Sequence, residues 1–117
     1  MTFAEVVQEI GGVMVVKPGG AENQIRHVVA SDLMSDVLIV DEDDMLLVSS
    51  LASDQVLRTA QIVGAAGVII MNGKPLPSSM SDVAKDLGLP LATCRLPKYD
   101  GCVAVYRALQ KGKPAAD

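Results

Sequence analysis

Residues 45–93 read MLLVSSLASDQVLRTAQIVGAAGVIIMNGKPLPSSMSDVAKDLGLPLAT, and this stretch decides the fold. Three apolar runs, Met45–Val48, Val68–Met71 and Leu91–Thr93, are too short for helices and nearly free of polar residues, the pattern of strands covered on both faces in a parallel sheet. Between the first two, Val56, Leu57, Ala60 and Val63 recur at helical spacing; this helix is expected to open at Ser53 or Asp54 and to end near Gly64. Between the second and third, Met80, Val83, Ala84 and Leu87 repeat the pattern, and Ser79 with Asp82 resembles a capping box in which Asp replaces the usual Glu. A last helix carries Cys102, Val105, Tyr106 and Leu109 and closes at Lys111-Gly112, with Pro114 beyond. Strand, helix, strand, helix, strand, helix reads as successive right-handed βαβ crossovers.

Towards the N-terminus, Phe3, Val6, Val7 and Ile10 mark another helix behind a Thr2 cap, stopped by Gly11-Gly12. Val13–Val16 and Ile25–Val29 read as two further strands. Ser31–Val40 suits a short helix through Leu33, Met34, Val37 and Leu38, although Val37–Val40 also has strand character; the helix is favoured. The expected architecture is a single α/β domain over 1–117, with a mostly parallel sheet, βαβ crossovers and helices packed on the sheet. Its core spans about 3–109, with a short C-terminal tail at 112–117.

Composition narrows the function. The 117 residues are 50% hydrophobic and carry 10 Lys+Arg against 14 Asp+Glu, a net charge of −4. Mean hydropathy is +0.34 and the isoelectric point about 4.8. A net acidic chain is a poor phosphate-backbone binder, so nucleic acid is excluded as a partner. No run approaches the ~18 apolar residues of a membrane span, and neither a secretory signal nor a lipidation motif is read, which points to the cytoplasm. Cys94 and Cys102 form neither a disulfide framework nor a zinc motif and read as reduced thiols.

Catalytic patterns are thin. His27 stands alone in an alternating stretch, the Asp41–Asp44 acidic cluster reads as a solvated turn, and no serine occupies a nucleophile elbow. Most serines stand where helix caps are expected. Pro18-Gly19-Gly20 lacks P-loop spacing, and Asn72-Gly73 is a turn dipeptide. The chain therefore reads as a non-enzyme with no cofactor or metal. In open parallel sheets ligands bind beyond the carboxyl ends of the strands. Applied to the three C-terminal strands, that rule collects Ser49, Ser50, Asn72, Gly73, Lys74, Thr93 and Arg95, a set of hydroxyls, an amide, exposed backbone and cations able to hold a small anionic or nucleotide-like ligand. With so much apolar surface in a small domain, a symmetric homodimer is expected, through the first helix or around Leu33, Met34 and Val37.

The segments 30–38 (ASDLMSDVL), 54–60 (DQVLRTA), 67–70 (GVII) with 72–75 (NGKP), and 98–102 (KYDGC) resemble, in that order, the DRTGG domain. They are most similar to the small stand-alone DRTGG proteins found beside iron-only hydrogenase and NADH-linked electron-transfer genes. The resemblance implies an α/β domain related to the N-terminal domain of HPr kinase/phosphorylase, self-associating and regulatory, with a redox-enzyme partner. It implies no kinase activity, since that belongs to a separate P-loop domain of which the chain shows no trace. The alternative is a protein–protein assembly module without a small ligand. At the family's Asp-Arg pair this sequence has Ala52 and Ser53, and at its Thr-Gly-Gly it has Asn72, Gly73 and Lys74. The lost arginine removes a bidentate anion fork, a charge that Lys74 and Arg95 replace in part. Tyr99 is expected to pack.

Overall fold

The computed structural model describes residues 1–112, so the tail beyond Gly112, with Pro114, lies outside the described residues. Ten elements follow one another: α1 (Phe3–Glu9), β1 (Val13–Val16), β2 (His27–Ala30), α2 (Met34–Val37), β3 (Met45–Ser49), α3 (Asp54–Val63), β4 (Gly67–Ile70), α4 (Ser78–Leu87), β5 (Leu91–Thr93) and α5 (Lys98–Lys111). The five strands form one sheet in the order β1-β5-β4-β3-β2. β2 through β5 run parallel, and only β1 is reversed, pairing antiparallel with β5 through an irregularity between Met14 and Val16.

The continuous hydrophobicity of β3 and β4 has the expected cause, since every residue of both strands is buried. Alternate side chains serve opposite faces. Met45, Leu47, Val68, Ile70 and Leu91 join Met34 and Val37 of α2, Val56, Leu57 and Ala60 of α3, and Met80 and Ala84 of α4 in one cluster. Leu46, Val48, Ile69 and Ala92 join Phe3, Val6 and Val7 of α1 and Val105 of α5 in the other. The three crossover helices thus cover one face, and the two terminal helices the other.

Local signals hold in part. Thr2 caps α1 with a full capping box through Glu5, and Gly64 and Gly88 end α3 and α4 in the left-handed conformation. A Cβ at Gly64 would meet nothing within 4 Å, yet φ is +72°. Gly64→Ala is therefore expected to cost about 1–2 kcal/mol from backbone strain alone, read as a lower urea midpoint with an unchanged slope.

Several expectations need correction. The Ser79–Asp82 box does not form, because Pro77 stands at the N-cap and α4 starts at Ser78, one residue before the expected cap. The helix favoured within 31–40 is a single turn, Met34–Val37, since only Met34 and Val37 find core to bury against. The strand expected at 25–29 begins at His27, where pairing with β3 starts at Met45. Phe3, Val6, Val7, Met34 and Val37 are buried within the domain, whereas Leu33, with the neighbouring Leu38 and Ile39, is exposed. Tyr99 does not pack and is 79% exposed.

Candidate functional site

Because β2 to β5 are parallel, their carboxyl ends share one edge, and the loops that leave them begin at Ser31, Ser50, Met71 and Cys94. Helices α3, α4 and α5 start from the same edge, which turns their N-termini towards it. The structure gathers the expected residues unevenly along this rim.

Ser49 and Ser50 are buried where β3 ends, and neither acts as a helix cap. Their partner is Asp32 in the loop after β2. The Ser49 hydroxyl donates to Asp32 Oδ1 at 2.8 Å, the Ser50 amide to the same oxygen at 2.7 Å, and the Ser50 hydroxyl to Oδ2 at 2.5 Å. Lys98 Nζ, at the start of α5, completes the cluster 3.1 Å from Oδ2. Partial burial works to raise the Asp32 pKa. The hydroxyl and amide of Ser50, the Ser49 hydroxyl and Lys98 outweigh that effect and hold the carboxyl well below the usual carboxylate range.

Lys74 Nζ reaches the same cluster by donating to the Ser50 carbonyl at 3.2 Å. Asn72 and Gly73 both have positive φ, +72° and +61°, as an Asn-Gly turn permits. Their amides are already engaged, Asn72 with Leu96 O at 2.8 Å and Gly73 with Cys94 O at 3.0 Å. The backbone expected to be open to a ligand here is therefore closed by the neighbouring loop. The Asn72 side chain in turn accepts from the Lys98 amide at 3.0 Å, fixing the first residue of α5.

Thr93 and Arg95 stand apart from the network. Thr93 is held in the ladder between Ile70 and Val13. The exposed Arg95 follows at the end of β5 and borders a shallow cavity of ≈ 320 Å³ with Ile10, Gly11, Cys94 and Leu96. Ser53 occupies the N-cap of α3 as expected, but its hydroxyl makes no capping bond and is enclosed without a partner.

Two residues central to this network were missing from the candidate set. Asp32 follows a strand tip, and the topological rule finds it once β2 is counted among the parallel strands. Lys98 sits in the KYDGC segment and depends on the turn that opens α5. With both included, the rim carries the cations Lys74, Arg95 and Lys98 beside the Asp32 carboxylate, and Asp54 and Asp100 stand in the first turns of α3 and α5 at the same edge.

No protein-family model matches the chain, and no curated protein does. The fold does have a match, in the crystal structure of the CBS and DRTGG domains of the regulatory region of Clostridium perfringens pyrophosphatase complexed with its activator, diadenosine tetraphosphate. The two share a TM-score of 0.72 at 8% sequence identity, over 92% of this chain and 46% of that one. The chain thus has a DRTGG/CBS-like fold and spans about half the length of this structural neighbour.

Proposed function

We propose that this domain is a non-catalytic regulatory module of the cytoplasm that takes a small anionic or nucleotide-like ligand at its rim and acts as a homodimer, with a redox enzyme such as a hydrogenase as its client. One observation carries the ligand reading: the parallel strand ends and the helix starts that follow them bring Lys74, Arg95 and Lys98 to one edge. The likeness of fold to a regulatory region complexed with a nucleotide activator supports it. Ser49, Ser50, Asn72 and Gly73 build the floor of this edge, and Thr93 contributes position alone.

A specific observation favours the second reading, an assembly module without a ligand. The amides of Ser50, Asn72 and Gly73 are spent on the chain's own acceptors, so an incoming anion meets side-chain cations and helix ends rather than an open nest of backbone donors.

A thermal-shift screen against ATP, AMP, diadenosine tetraphosphate and inorganic phosphate separates the two. A ligand present at 100 times its dissociation constant is expected to add about 2.7 kcal/mol, a shift of several degrees in Tm. Lys74→Ala and Arg95→Ala are expected to abolish that shift. A flat response across the panel rejects the ligand-binding reading.

A further inference from the structure

The open edge of the sheet at β2 carries an interaction surface. Odd-numbered residues of this strand turn their backbone towards β3, as the amides of His27 and Ser31 show by donating to Asp44 O and Val48 O. By the alternation of an extended chain, Val28 and Ala30 present their N–H and C=O groups outward. Their side chains lie on the α5 face, where a groove of ≈ 430 Å³ runs between them and Cys102, Val105, Tyr106 and Leu109. Val28 is 39% exposed and Tyr106 65% exposed. β2 has none of the usual edge protection, being free of proline, lysine and bulge, whereas the opposite edge strand, β1, is broken by its irregularity.

We propose that β2 pairs antiparallel with β2 of a second copy about a two-fold axis through Val29, joining two five-stranded sheets into one. This register, unlike a shift by one residue, uses all the outward groups of the strand: Val28 and Ala30 of each copy exchange hydrogen bonds with Ala30 and Val28 of the other. It sets a large side chain against a small one at both positions. Beyond the paired residues, the same axis sets the start of one β2, preceded by the exposed Arg26, beside the loop that follows the other copy's β2 and carries Asp32, an approach of opposite charges. The two grooves then face each other across the seam, each walled by the other copy's α5. A second copy is the occupant because size and charge are both complementary to the strand itself.

The inference rests on the self-association part of the reading above and not on a ligand; the thermal-shift screen reads the rim cations, so each can fail without the other. Sedimentation velocity from about 1 to 100 μM covers contacts of micromolar affinity. The wild-type protein is expected to run as a dimer at the upper end. Val28→Lys is expected to run as a monomer with unchanged circular dichroism, and Val13→Lys on the opposite edge, where Val13 is 62% exposed, to remain a dimer. Arg26→Glu, at an exposed site, is expected to weaken association at least tenfold and reads the same contact should Val28→Lys fail to fold. A wild-type monomer at every concentration, or a dimer indifferent to both Val28→Lys and Arg26→Glu, overturns the proposal.

Discussion

Phe3→Ala is expected to remove about 3–5 kcal/mol of stability, a large share of the roughly 5–15 kcal/mol available to a domain of this kind. Phe3 is 1% exposed and ties α1 to the sheet together with Val6 and Val7. Its ring lies directly on Gly67, where an added Cβ would come within 2.5 Å of the ring. Glycine at the first position of β4 is thus the seat for the aromatic ring, and a seat without a side chain has nothing to move into the vacated volume. Loss of the ring leaves a cavity as well as lost burial. Urea unfolding provides the measurement, with a lower midpoint at constant slope expected. Gly67→Ala alone is expected to destabilise by overpacking, yet to be tolerated better in the Phe3→Ala background, because the new methyl then enters the space the ring has left. A Phe3→Ala loss below about 1 kcal/mol would contradict this packing.

The second large effect belongs to Asp32. Asp32→Ala takes the acceptor away from two buried hydroxyls and one amide at once, and an unsatisfied buried donor costs about 1–3 kcal/mol. The Asp32 side chain is 44% exposed, so water reclaims part of that loss and the expected total stays near the lower end of the range. Its pH dependence has a definite sign. The folded-state pKa lies below the unfolded value of about 3.9, so the carboxylate's contribution is complete above that value and drains away as pH falls towards the folded one. Wild-type stability is expected to fall between about pH 5 and the acid limit. Asp32→Asn, less stable at neutral pH, is expected to show a shallower decline over that interval. Urea unfolding at pH 7 and pH 3 reads both effects, and parallel pH profiles for the two proteins would show that Asp32 carries no such role.

Much of this architecture could be read from the chain alone. The runs at 45–48, 68–71 and 91–93 are apolar because both faces of the sheet are covered, and stripes such as Val56, Leu57 and Ala60 meet one of those faces. The signal weakened where local chemistry admits two answers. Ser79 fits a cap by composition, but Pro77 fixes φ near −54° and lets α4 begin earlier. Leu33 and Leu38 look like helix-stripe residues, yet both remain exposed on either side of a one-turn helix.

The rim shows the same division. Topology places Ser49, Ser50, Asn72, Gly73, Lys74, Thr93 and Arg95 at one edge, because all are counted from strand ends. Which of them touch is decided by residues remote in sequence: Asp32 lies 18 positions from Ser50, and Asn72 lies 26 from Lys98. No spacing rule reaches across such gaps. Reversal of β1 was equally hidden, since a four-residue apolar strand reads alike in either direction.

The last helix has a mechanical consequence. Its 14 residues form a rod about 21 Å long. One tip is pinned by Lys98 to Asp32 and Asn72, and the other by Lys111 to Glu9 at 2.7 Å. The helix thereby ties the loops at the strand ends to α1, which packs beside it on the same face of the sheet.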